Sequence, residues 1–458
     1  MTWANARAGM AAFLIAAPSS ARAVDVPEGF TSDVLATELN AATAMAVAAD
    51  GRVFIAEQTG LLRVWKDGRL LSKPALDLSE RLDTYWERGL IGVALHPDFP
   101  HTPHLFVVYV AKEPFSHHVV SRFTVVGDQV DASSEHVLIE GDDQSKIGGT
   151  VPWGHQGGPL CFGPDGCLYL GLGEQTAGAP AQSLEALSGK ILRLRADGRV
   201  PADNPFFDQT AGKYRAIWAL GIRNPFGLAF QPGTARLFET DVGQTSWEEV
   251  NEIVRGGNYG WPEVEGAGGG DRFRDPIYSY PPAIGRSICG AAFVPDAEQF
   301  PSAWRGRFFF VDWAANWLKA LDPSRPEDVT TVATGLNGPV AVQPAPDGSL
   351  LVLNRATIWR DGKNWKPNTG SLLRLRAGTS TDIITKKHAW EKTLGATGLF
   401  RSLRPIVLRE EFGAFEINAE PWLPGMRVRR WISIPSGEAL EVSGEGEFEF
   451  PKGTIVIQ

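Results

Sequence analysis

The sequence predicts an all-β fold, a six-bladed β-propeller followed by a small C-terminal β-rich module, and three observations carry that reading. Gly and Pro are abundant, 50 and 32 of 458 residues. They are spread along the chain, which supplies many turns and disfavours a helical bundle. Hydrophobic residues make up 43% and charged residues 21%, with 15 Trp and 24 Phe. That apolar content is enough to offset chain entropy and excludes a disordered chain. Finally, one degenerate phrase recurs six times between Val24 and Gly378: a Pro/Asp/Gly turn followed by an alternating apolar strand.

The elements follow in chain order. Arg7 precedes the apolar run AGMAAFLIAA, Ala8 to Ala17, and then come Pro18 and small residues ending Ala21-Arg22-Ala23. Residues 1–23 read as an export signal cleaved after Ala23, with a buried N-terminal helix as the alternative. The run is short of the ~20 apolar residues of a spanning helix, so the expected product is periplasmic or secreted, with no membrane span. Residues 24–378 carry the repeated phrase as AADGRVFIAE at Ala48, HPDFPHTPHLFVVYV at His96, GPDGCLYLGLGE at Gly163, QPGTARLFETDVG at Gln231, SAWRGRFFFVDWA at Ser302 and APDGSLLVLNR at Ala345. Asp-Gly gives the positive φ angles of a tight hairpin, and the period-two pattern is expected to bury one face of each strand. Second strands trail several instances, as LLRVWKDG, KILRLRADG, WLKALD and SLLRLRAG. A fixed phrase at irregular spacing suits blades with loops of varying length. Two separate sandwiches are the competing arrangement, but no linker divides the region. Residues 379–458 lack the phrase and read as a separate small module to which no chemistry attaches.

The net charge is −9 and no long basic run occurs, so no nucleic-acid partner is expected. Cys161, Cys167 and Cys289 show no CxxC or CxxCH spacing, which argues against zinc ribbons and attached haem. Cys161 and Cys167 flank an FGPDG turn, and either a bond across a hairpin or two packed thiols is compatible with that spacing.

Three stretches are too constrained to be blade filler. Trp86-Glu87-Arg88-Gly89 places a charged pair at the mouth of a strand. Trp153-Gly154-His155-Gln156-Gly157-Gly158 sets a lone imidazole among glycines, where backbone approaches a ligand closely and a base near neutral pH is available. In IWALGIRNPFGLAF and TDVGQTSWEEVNEIVRGGNYGWP, Arg223 and Asn224 offer planar donors, while Gly243, Gln244, Glu249 and Asn251 offer hard oxygens suited to Ca²⁺.

In this order the stretches resemble the soluble quinoprotein sugar dehydrogenases, the glucose/sorbosone dehydrogenase family that uses pyrroloquinoline quinone (PQQ). The likeness runs from about Phe30 to Gly378 and is most specific in GLIGVALHPDF, HQGGPLCFGPDGCLYLGLGE, LGIRNPFGLAF and VNEIVRGGNYGWP. The resemblance implies a six-bladed propeller with the quinone over its axis, a small-molecule sugar substrate and an external electron acceptor of unassigned identity. It implies His155 as the base taking the sugar hydroxyl proton, Arg223 acting at the reacting centre, and Glu87, Arg223 and Asn224 around cofactor and substrate. It also implies Ca²⁺ on main-chain oxygens of Gly243 and Gln244, and a further Ca²⁺ on Glu249 and Tyr259. The chain departs from the family's pattern in four places. Glu87 stands for Gln, and Gly154 stands for the Asp before the base, so an orienting carboxylate is expected to be missing. The cofactor-clamping Arg pair falls on Gly338 and Val340, and the cofactor Lys has no counterpart near Phe310-Val311-Asp312-Trp313. Arg88, Arg286 and Arg355 are the candidate replacements. Two other functions stay open on the sequence: an inactive propeller binding carbohydrate or a surface, and a hydrolase using Glu87, which would need a second carboxylate ~5–10 Å away.

Overall fold

The computed structural model describes residues 24–147, 154–356 and 367–377, with short strands at 359–360 and 363–364 and between 400 and 457. The expected export signal, residues 1–23, lies outside them. The chain divides into two compact units, residues 1–379 and 380–458.

The first unit is a ring of six sheets. Blade 1 contains Ala42–Val47, Val53–Glu57, Leu61–Lys66 and Arg69–Leu70, with Leu76–Asp77 also pairing on the third strand. Blades 2 to 5 start at Leu90–Leu95, Gly157–Phe162, Pro225–Phe230 and Ile288–Phe293, and each adds three antiparallel strands. Blade 6 joins the two ends of the region. Its Pro339–Pro344, Leu350–Asn354 and Gly370–Ala377 are completed by Phe30–Leu39, paired antiparallel with Gly370–Ala377. A strand from one end hydrogen-bonded to a strand from the other closes the ring and leaves no open seam. The first strands of consecutive blades are neighbours all the way round.

The repeated turns form as the residues dictate: Gly51, Gly166 and Gly348 have φ of 87°, 71° and 82°. The period-two expectation fails in the second strands. Val53–Glu57, Cys167–Leu172, Leu237–Asp241, Phe308–Asp312 and Leu350–Asn354 are buried throughout. Blades pack face to face, so both faces of a middle strand are covered and the sequence there is a continuous apolar run. Six apolar clusters mark the six blade interfaces among the described residues. Nearest the axis the backbones nearly touch: a Cβ on Gly92 would lie 2.0 Å from the carbonyl oxygen of Gly158, and one on Gly290 would lie 2.9 Å from Cα of Ala341. Cys161 pairs in register with Tyr169, which offsets it from Cys167, and both thiols are free.

The second unit contributes short antiparallel pairings, among them Gly413–Phe415 with Arg430–Ser433 and the latter with Ile455–Ile457. Among the described residues no helix is long and apolar enough to cross a membrane.

Candidate active site

In an up-and-down blade the first strand begins and the second strand ends at the same rim. Glu87, His155, Arg223 and Asn224 lie on loops between blades, and Glu174, Gly243, Gln244 and Arg355 on loops between second and third strands, so the fold gathers them all there. A cavity of about 180 Å³ opens on the axis at this rim. Each inner strand gives it one residue: Thr43, Ile91, Gly157, Phe226, Cys289 and Val340, with Gln58, Glu87, Ser287, Trp313 and Arg355 completing the wall.

His155 stands beside this cavity in the left-handed region, φ 54°. The main chain holds it there: N–H of Gln175 donates to its carbonyl at 3.2 Å. Gly173 has to lack a side chain, because a Cβ would sit 2.0 Å from that same oxygen. Nδ1 of His155 bonds Oε1 of Glu174, and Nη2 of Arg223 lies 2.9 Å from Nε2. A guanidinium only donates, so Nε2 is the acceptor and the imidazole proton sits on Nδ1, facing the carboxylate. Glu174 is buried. Burial pushes its carboxyl up, but the hydrogen bond with His155, the amide of Gly178 and the nearby Arg223 charge outweigh burial and leave it below the usual carboxylate range.

The expectation of a missing orienting carboxylate is therefore corrected: Glu174 supplies it from the loop that follows the next strand. Gly157 pairs with Leu172. Two residues outward on each strand of that antiparallel register, His155 faces Glu174.

Arg223 and Asn224 are set by Asp241, whose carboxylate accepts their N–H groups at 2.9 and 2.6 Å. Burial pushes the Asp241 carboxyl up. Nη1 of Arg223 donates to the carbonyl of Val242 at 2.6 Å, and its guanidinium lies over the Trp261 ring at 5.3 Å. Oδ1 of Asn224 accepts from N of Gly157 at 3.1 Å. Oε2 of Glu87 accepts from N of Gln156 at 3.2 Å and lies 3.5 Å from Nδ2 of Asn224. The structure thus brings Glu87, His155, Arg223 and Asn224 together.

Glu249 and Tyr259 are engaged elsewhere. The Tyr259 hydroxyl donates to the carbonyl of Glu252 at 2.6 Å and accepts from N of Val254 at 2.9 Å, folding onto its own loop. Glu249 points into the blade, accepting from N of Gly266 at 2.6 Å and from Asn251 at 3.2 Å. Each of the two side chains is thus bonded within its own surroundings. Around Gly243 and Gln244, the N–H groups of Gln244, Thr245, Ser246 and Trp247 all converge on Oε1 of Glu265 within 3.1 Å. Of the three replacement arginines, Arg355 lines the cavity, bonding Gln58 and the carbonyls of Ala41 and Ala42. Arg88 pairs with Asp83 at 2.5 Å, and Arg286 is exposed.

Comparison with known proteins agrees with this geometry. The family description "Glucose / Sorbosone dehydrogenase" matches residues 39–362. The chain belongs to the glucose/sorbosone dehydrogenase family. It is 32% identical over 320 residues to quinoprotein glucose dehydrogenase B of Acinetobacter calcoaceticus, covering 62% of this chain and 63% of that one. Aldose sugar dehydrogenase of Escherichia coli K12 is 30% identical over 329 residues, covering 71% and 85%. The PQQ-bound aldose sugar dehydrogenase of Streptomyces coelicolor superposes with TM-score 0.61 at 25% identity, covering 77% of this chain and 99% of that one.

Whether this family member's residues suit the quinone is testable from its unpaired atoms. Nε of Arg223, Nε1 of Trp261 and Nε1 of Trp313 are buried without a hydrogen-bond partner among the described residues. All three are donors, and Trp313 shares the cavity with Arg355 and the flat face of Phe226. A surplus of buried donors beside two guanidiniums and aromatic walls fits a planar, acceptor-rich anion. Gly338 and Val340 supply no cation, so the guanidiniums available here, Arg223 and Arg355, stand at other positions than the family's pattern gives.

Proposed function

We propose that this chain oxidises an aldose or related sugar, with PQQ over the propeller axis, Ca²⁺ beside it and His155 as general base. The observation that carries the reading is the state of His155, whose Nε2 lone pair is presented by an imidazole locked on its other side by Glu174. When bound, PQQ would supply the hydride acceptor. Arg355, Arg223 and the Nε1–H of Trp313 would hold it, with Phe226 and Trp313 as walls. Glu87 is an acceptor and suits sugar hydroxyls better than a polycarboxylate, so its place is on the substrate side, while Asn224 keeps the loop of Gly157 in position.

The chain's own part in the reaction is proton transfer. Arg223 yields the Nε2 lone pair, a sugar hydroxyl takes its place, and Nε2 accepts that proton. The imidazolium so formed is stabilised by the Glu174 carboxylate, and a positioned base of this kind contributes ~10²–10⁴ in rate. The Ca²⁺ proposal rests on Gly243 and Gln244. Trans peptides set each C=O antiparallel to the following N–H, so the convergence on Glu265 turns these two carbonyl oxygens outward. Periplasmic or secreted location is proposed on the pattern in residues 1–23 alone.

The test is reconstitution of purified protein with PQQ and Ca²⁺, followed by dye reduction over a panel of aldoses. Turnover requiring both additions supports the proposal. Glycan binding with no dye reduction at any quinone concentration would replace it with the binding-module reading.

A further inference from the structure

Next to His155 the chain buries a set of polar side chains that neither line the cavity nor reach solvent. His118, Gln144, Gln156, Gln175 and Ser188 are each at most 3% exposed. Burying so many polar groups is costly unless they are bonded, and here they bond one another, with Oε1 of Gln144 and Oε1 of Gln175 left without a partner among the described residues. Nε2 of His118 lies 3.0 Å from the carbonyl oxygen of Gln156, the residue after the base. A carbonyl only accepts, so Nε2 carries the proton. Nε2 of Gln175 donates to Nδ1 of His118 at 3.4 Å and to Oγ of Ser188 at 3.2 Å. Nε2 of Gln144 donates to Oε1 of Gln156 at 2.8 Å, and Nε2 of Gln156 donates to the carbonyl of Gly154 at 3.2 Å. The frame thus grips the main chain on both sides of His155.

That grip has a purpose in the backbone. His155, Gln175 and Thr176 have φ of 54°, 60° and 59°, a region that costs a non-glycine residue ~1–3 kcal/mol and persists only where the surroundings over-determine it. We infer that His118 is a positioning residue for the base, its Nε2–H holding the Gln156 carbonyl so that His155 keeps its left-handed conformation and its aim at the substrate. Burial pushes the His118 imidazole down to about 4, so it stays neutral, with one donor and one acceptor nitrogen, through the neutral range. Gly141 packs against its backbone: a Cβ there would lie 3.1 Å from both Cβ and N of His118.

This inference rests on the reading of His155 as base, and the experiment separates the two. Gln places an amide nitrogen where Nε2 of His118 stands, Asn places one only where Nδ1 stands, and Leu provides neither. Reconstituted His118→Leu should lose ~10–100-fold in kcat, the scale of a base misplaced by up to an ångström, with KM for the sugar and Kd for PQQ changed less than about threefold. His118→Gln should recover to within about threefold of the parent and His118→Asn should not. Val64→Ala, in the interface of blades 1 and 2, controls for lowered melting temperature without the frame. Should His118→Leu fail to fold, the Gln and Asn variants decide alone. Equal kcat for Gln and Asn, or a His118→Leu loss no greater than that of Val64→Ala, overturns the positioning role. Normal turnover by His155→Ala would instead remove the base reading and this inference with it.

Discussion

Replacing Glu174 with Gln removes one charge and exchanges one acceptor oxygen for a donor nitrogen, and the local bonds fix the result. Oε1 faces Nδ1 of His155 and N of Thr176 at 3.1 Å, and Oε2 faces N of Gly178. Whichever way the new amide turns, its NH₂ meets a main-chain N–H, Gly178 in one orientation and Thr176 in the other. An unsatisfied buried donor costs about 1–3 kcal/mol. In the second orientation the amide also donates to Nδ1, which drives the imidazole proton onto Nε2, the atom proposed to accept the substrate's proton. In the first the tautomer survives but the imidazolium loses its counter-charge. Both outcomes remove transition-state stabilisation, so kcat/KM should fall ~10²–10³-fold with KM altered less than about threefold. Steady-state dye reduction at saturating PQQ and Ca²⁺ reads this directly. A Glu174→Gln enzyme within about threefold of the parent would refute the assignment of both tautomer and orienting group.

Arg355→Leu should weaken PQQ binding ~30–150-fold, the worth of a charge-assisted contact of about 2–3 kcal/mol, as measured by tryptophan quenching in protein whose melting temperature is retained. An unchanged Kd would mean other cations hold the quinone. Gly92→Ala drives a Cβ into the Gly158 carbonyl and should cost about 3 kcal/mol or more in thermal unfolding; an unshifted transition would contradict the close approach of the inner strands. Burial, with Asp312 and Asp241 adding, pushes the Glu248 carboxyl up to about 8. The folded state then keeps a proton that the unfolded chain releases near about 4.3, so this group's contribution to stability declines as pH rises through that window. Glu248→Gln should therefore narrow the drop in melting temperature between about pH 5 and about pH 8, and an unaltered drop would place the titration elsewhere.

How much of this was legible in the sequence depends on what each residue answers to. The six turn-strand phrases are local chemistry, Asp-Gly and apolar residues acting within a hairpin, and they predicted the six blades. Burial of Phe308–Asp312 on both faces is a tertiary effect that strand periodicity does not encode. Glu87, His155, Arg223 and Asn224 were found because glycines and prolines mark their loops. Glu174 was missed because its role depends on the register of Gly157 with Leu172, which a shift between Gly157 and Leu160 moves away from the count outward from the Asp165-Gly166 turn. The ten-residue spacing of Glu249 and Tyr259 carried no information about which way each side chain turns, and the Tyr259 hydroxyl turned back to Glu252 and Val254. Arg355 could be named as a spare cation, but only the closing of blade 6 brings it beside Gln58.

In the proposed reaction the imidazole of His155, next to the cavity-lining Glu87 and Gly157, withdraws the substrate's proton. Single-turnover dye reduction by PQQ-loaded His155→Ala, with quinone affinity measured in the same preparation, tests it most directly. The rate should fall at least ~10²-fold below the parent at unchanged PQQ affinity. A parental rate, or a loss explained wholly by weakened quinone binding, would contradict it.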